Sequence, residues 1–147
     1  MSTRGWIASV EALERDYQRA GLLRRDDRTP QSKLEGAFLP ASFWLAQYWA
    51  VRNDPTRARH YLDAGLRHAN DVGVLPEEVD WQDGRALGNL PLGMAHASLI
   101  SAILDVAECE ERRNARKDDR PPVPGTCNRW RHRPSRIRIA ARNTAKP

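Results

Sequence analysis

Apolar residues return at three- and four-residue steps from the start of the chain: Trp6, Ile7, Val10, Leu13 and Tyr17. That period aligns one face of a helix. It predicts an amphipathic helix from about Arg4 to Ala20, ended by Gly21. "LLRRDDRTPQSKLEG" then reads as a polar loop broken by Pro30 and Gly36. From about Ala37 to Arg52 the pattern changes, because Phe38, Leu39, Phe43, Trp44, Leu45, Tyr48, Trp49 and Val51 surround the helix axis. Such a helix is expected to be buried on most sides, with Pro40 in its first turn, where a missing N–H costs little. Asp54 and Pro55 fit the N-cap and first position of a third helix. Its stripe is Ala58, Tyr61, Leu62, Gly65, Leu66 and Ala69. The connection between the second and third helices is too short for anything but an antiparallel hairpin.

A fourth helix follows Pro91, with Leu92, Met94, Ala95, Leu99, Ile103, Val106 and Ala107 as its stripe. Gly93 and Ala97 read as points where a neighbour comes close. Between the third and fourth helices stands "VGVLPEEVDWQDG", Val72 to Gly84. It is too irregular for a helix and, with its paired glutamates, too acidic for a buried strand. No segment alternates with period two, so no substantial sheet is expected and the fold class is all-α, built of antiparallel helical hairpins. After about Arg113 the periodicity stops. The Arg- and Pro-rich remainder has the composition of a disordered basic tail. Two regions result: a helical domain over residues 1–111 and a tail over residues 112–147.

Charge sharpens that division. The net charge of +5 hides a split. Residues 1–111 hold 12 Lys/Arg against 17 Asp/Glu, and residues 112–147 hold 12 against 2. The basic character belongs to the tail alone, and no nucleic-acid recognition motif accompanies it, so specific nucleic-acid binding is not expected. No apolar run is long enough for a membrane helix, and the N-terminus lacks the pattern of a secretory signal. Cys109 and Cys127 are too few for a disulfide framework or a thiolate zinc site. A cytoplasmic setting is therefore expected. His60, His68 and His96 do not have metal-ligand spacing beside carboxylates, and no metal or cofactor is expected.

Three stretches, in this order and spacing, carry a resemblance: "EGAFLPASFWLAQY" (35–48), "ANDVGVLPEEVD" (69–80) and "LGNLPLGMAHASLISA" (87–102). Together they resemble the C-terminal part of glycoside hydrolase family 15, the glucoamylase and bacterial trehalase-like group. The resemblance implies an α/α barrel of six helical hairpins, of which this chain holds about four helices. It also implies hydrolysis of an α-glucoside, of the trehalose or maltooligosaccharide type, with inversion at the anomeric carbon. Inversion uses two carboxyl groups roughly 6.5–9.5 Å apart, one protonating the leaving oxygen and one activating water. The family's base matches Glu77, and Glu78 matches a neighbour of the base. The family's acid lies in an earlier barrel segment with no match in this chain. The resemblance therefore implies a fragment, with a complementary barrel piece or self-association as the means of completing it.

Plainer readings stand beside these. Glu77 also suits a solvated loop, and Glu78 beside it is expected, with Glu35 and Trp81, among the substrate contacts. Glu35 can line a pocket or cap a helix. Trp81, in the acidic loop, can stack on a sugar or pack, while Trp44 and Trp49, on an apolar helix, suit the core. "ARHYLDAGLRHA" has the look of a helical-hairpin repeat, so a small interaction module without enzymatic activity is the alternative function. The second helix, apolar all round, is expected to leave surface that a partial barrel cannot cover.

Overall fold

The computed structural model describes residues 3–25 and 35–118. The expected tail lies beyond these residues from position 119 onward. Helix α1 (Thr3–Tyr17) leads into a hairpin of β1 (Gln18–Arg19) and β2 (Leu22–Leu23). Its two-residue turn, Ala20–Gly21, has positive φ at both positions, the geometry that matches the twist of two short strands. Strand β3 (Ala37–Phe38) runs directly into α2 (Leu39–Val51), with Pro40 in the first turn as the pattern requires. The Asp54 side chain accepts from the Arg57 N–H at 3.1 Å. It thereby caps α3 (Pro55–Leu66), which the turn at Arg52–Asp54 folds back against α2. Strands β4 (Glu78–Val79) and β5 (Ala86–Leu87) lie in the long loop, and α4 (Gly93–Asp118) closes the described chain.

The molecule is mostly helical, and its core is where α2 packs on α3 and α4. Phe43, Leu39, Leu62, Leu75, Val79 and Val106 are fully buried there. Gly65 lets α3 approach, because the Phe43 ring fills the space where a side chain would stand. Polar ties run between the same helices. Trp44 donates to Ser98 Oγ at 3.0 Å, Gln47 to Asp105 at 3.0 Å, and Arg59 pairs with Glu110 at 2.6 Å.

Several sequence expectations change. The acidic loop does contain a buried strand: Glu78 and Val79 pair antiparallel with both β3 and β5. Burial of the acid is offset in part by the Gly36 N–H on Oε2 and by the Arg25 charge, while Oε1 has no hydrogen-bond donor among the described residues. Helix α2 is largely covered, with only Trp44 and Val51 among its large apolar residues exposed, so the uncovered surface is not where its composition suggested. It lies on α4 instead. The core takes Ala95, Ser98, Ala102, Val106 and Cys109, leaving Met94, Ile103 and Ala107 of the expected stripe outside. Gly93 and Ala97 are likewise exposed, and nothing approaches Gly93. Helix α4 also runs on to Asp118, supported near its end by the Arg112–Glu108 pair one turn apart. On α1, Trp6 and Leu13 are exposed and Val10 alone is fully in the core.

Helix α1 is held instead by a carboxyl. Glu14 Oε1 accepts from Tyr61 Oη at 2.6 Å and from Trp49 Nε1 at 2.7 Å, and Arg57 stacks on the Trp49 ring at 4.2 Å. Burial, reinforced by the Glu14 carboxyl, pushes the Tyr61 phenol well above its ordinary pKa. Removing the acceptor strands two half-buried donors, each worth about 1–3 kcal/mol. Glu14→Ala is therefore expected to lower stability by about 2–3 kcal/mol in urea denaturation. Glu14→Gln, which keeps an acceptor oxygen, should lose about half as much.

Candidate functional site

The loop between α3 and α4 is anchored at both ends before any side chain is considered. Asn70 Oδ1 accepts from the Val72 and Val74 N–H groups, and the Leu75 N–H donates to His96 Nε2. The Glu77 N–H then donates to the Asn89 carbonyl at 2.9 Å, and the Glu77 carbonyl accepts from Leu39 N–H at 3.1 Å. Glu77 is thus fixed by its backbone between the first turn of α2 and the approach to α4. Strands β3, β4 and β5 continue the same seam.

Three carboxyl groups converge on one guanidinium here. Arg25 pairs with Glu35 at 2.8 Å, with Glu78 at 3.3 Å and with Glu77 at 3.5 Å. Their exposures differ in a way that separates their roles. Glu78 is 6% exposed overall, and its Oε2 accepts from the Gly36 N–H at 3.1 Å, tying β4 to the residue before β3. Glu35 and Glu77 are open to solvent in part. Glu77 Oε2 accepts twice from Asn89, from the side-chain amide at 2.7 Å and the backbone at 3.2 Å. Among the described residues its Oε1 has only the long Arg25 contact. Gly88 lies against the same carboxyl: a Cβ there, at a φ of +70°, would come 2.8 Å from Glu77 Oε2.

Burial raises the Glu78 pKa above the ordinary glutamate value, while the Gly36 N–H and Arg25 pull it back and Glu35 and Glu77 add to the rise. Folded protein therefore binds this proton more tightly than unfolded chain, and stability falls as pH rises from the unfolded value through the raised folded one. Glu78→Gln, which can still accept from Gly36, is expected to flatten that part of the pH–stability curve. Urea denaturation between pH 4 and 7 measures it, and a slope unchanged by the substitution would contradict the assignment.

Sequence reading singled out Glu35, Glu77, Glu78 and Trp81. The first three meet on Arg25. Trp81 is held elsewhere, under Arg24 at 5.7 Å, in a small cleft with Asp16, Tyr17, Gln18 and Arg19. Its buried indole N–H finds no acceptor among the described residues. Trp49 belongs to the core as expected, whereas Trp44 is half exposed. Arg25 and Asn89 were missed. The signals were present, in the arginine pair of "LLRR" and in the "GN" step ahead of Pro91, but neither has chemistry until the fold brings it to Glu77. A larger cleft of about 470 Å³, lined by Pro55, Thr56, Arg59, Glu110 and Arg113, lies toward the other end of α4, and its Arg59 and Glu110 charges satisfy each other. Among the described residues no cluster of His, Cys, Asp or Glu could hold a metal ion, and no helix is long and apolar enough to cross a membrane.

Residues 43–104, which include Glu77, Glu78, Trp81 and Asn89, match the family model of the glycosyl hydrolases family 15. This is a family 15-like chain. Among its relatives is a trehalase of Mycolicibacterium smegmatis, 35% identical over 52% of the chain and 12% of that protein. A trehalase of Thermoplasma volcanium is 27% identical over 76% of the chain and 18% of that protein. One of Thermoplasma acidophilum is 33% identical over 65% of the chain and 17% of its own length. The family 15-like chain therefore spans less than a fifth of these relatives. No solved structure matches it. Arg25 and Glu35 lie ahead of the matched segment, yet they complete the carboxyl cluster of the family 15-like loop.

Proposed function

We propose that this loop is the general-base module of an inverting α-glucosidase and that Glu77 is the base. The observation that carries the reading is the unequal treatment of its two oxygens. Asn89 holds Oε2 from two directions, which restrains the carboxyl, and among the described residues Oε1 meets only Arg25, at 3.5 Å, so in this reading Oε1 takes the proton. In the reaction, Glu77 Oε1 takes a proton from water as the water oxygen bonds to the anomeric carbon. The glycosidic C–O bond breaks on the opposite face, and a second carboxyl protonates the departing oxygen. Glu35 and Arg25 are placed to meet sugar hydroxyls as acceptor and donor, Glu78 steadies the base from below, and Trp81 is the remaining candidate for a sugar contact.

The relatives named trehalases favour an α-glucoside of the trehalose type over a maltooligosaccharide. The acid belongs, in this reading, to a barrel segment outside the matched residues. The isolated chain then lacks leaving-group protonation, itself worth on the order of 10²–10⁴ in rate, and does not turn over until a complementary barrel piece supplies it. The test is a chimaera in which residues 35–111 replace the corresponding segment of the M. smegmatis trehalase. Trehalose hydrolysis that depends on Glu77 supports the reading. Activity indifferent to Glu77 refutes it.

A further inference from the structure

The side of α4 that faces away from the core has its own order. Gly93, Ala97, Ile100, Leu104, Ala107 and Glu111 follow one another at alternating steps of four and three residues, and all six are exposed. This is the spacing of the contact positions of a coiled coil. Opposite them on the helix, Ala95, Ala102 and Cys109 are buried in the core, so the seam points straight outward. Ile100 and Leu104 are 60% and 66% exposed, with Met94 and Ile103 also bare on its flanks. A contiguous apolar strip of this kind marks an interaction surface.

We propose that the occupant of this face is α4 of a second copy, packed antiparallel about a two-fold axis level with Ala102. The seam is complementary to itself in that register and poorly so in a parallel one. Turned end for end about position 102, Ala97 falls level with Ala107 of the other copy, so small residues meet and the helices can approach closely. Ile100 falls level with Leu104, putting the two bulky pairs at the centre. Glu111 falls level with Gly93, the open first residue of the partner helix. The positive end of the helix dipole there attracts a carboxylate. A parallel pairing would stack Glu111 on Glu111 and forfeit that complementarity. The pairing uses no residue of the Glu77 loop, so its test can fail or succeed separately from that of the glycosidase reading.

Sedimentation equilibrium of the full chain is expected to give twice the chain mass at micromolar concentration. Ile100→Glu with Leu104→Glu should raise the dimer dissociation constant by about 100-fold or more, each central residue being used twice, with helix content by circular dichroism unchanged. A second measurement fixes the register. In a Cys127→Ser background, the double variant Ala97→Cys/Ala107→Cys should form intermolecular disulfides on oxidation. Ala97→Cys alone should not, because its two copies would stand ten residues apart, about 15 Å. A monomeric wild-type chain, a dimer that survives the paired glutamates, or crosslinking of Ala97→Cys alone would each overturn the proposal.

Discussion

Glu77→Gln in the trehalase chimaera is expected to lower kcat by about 10²–10⁴, the usual worth of a positioned general base, with KM changed less than threefold. The amide can still accept from the Asn89 donors that hold Oε2, so the loop should keep its shape while the proton acceptor is lost. That separates chemistry from folding. Asn89→Ala gives the complementary result: the base is retained but two of its restraints are weakened, and kcat should fall by about tenfold. If Glu77→Gln and Asn89→Ala reduce kcat equally, Glu77 is a structural acceptor and not the base. Steady-state kinetics on trehalose, together with melting curves of each variant, distinguish these outcomes.

Gly36→Ala is expected to produce the largest loss of stability among single methyl additions, about 3 kcal/mol, at the upper end for overpacking. The added Cβ would stand 2.2 Å from the Val79 carbonyl oxygen and 2.7 Å from its carbon. Both neighbours are backbone, so no rotamer change relieves the clash. Relief requires β3 and β4 to separate, which also draws the Gly36 N–H away from Glu78. Gly5→Ala is the control. Nothing lies within reach of that position on α1, and the substitution should be neutral or slightly stabilising because alanine favours helix. Urea midpoints of the full chain, compared at constant m-value, measure both.

The helices were legible in the sequence because their signals are local. The Asp54 cap, Pro40 and Pro55 in first turns, the all-round apolar run of α2 and the apolar period of α3 need no tertiary information. Faces were less legible. Helix α4 is apolar on two sides, at Ala95, Ala102 and Val106 and again at Ile100, Ile103 and Leu104. Composition cannot say which side meets α2: Ala95 and Val106 of the expected stripe are in the core, whereas Met94 and Ile103 stand outside it. The strand at Glu78–Val79 was hidden for a related reason. A buried glutamate is unfavourable until Arg25 and the Gly36 N–H stand beside it, and they come from 53 and 42 residues earlier in the chain. The carboxyls of the site could be named from sequence, but the donors that orient them depend on contacts between distant segments.

The pairing of β3, β4 and β5 has a consequence for how the site would work. A catalytic group on a free loop must be ordered during each encounter with its ligand, and that loss of entropy is subtracted from binding. Here the Glu77 backbone is bonded on one side to Leu39 and on the other to Asn89, and its carboxyl is oriented by Asn89. The ordering is completed when the chain folds. In the role proposed for Glu77, the loop would meet its ligand already preorganised, with the orientation of the carboxyl set in advance.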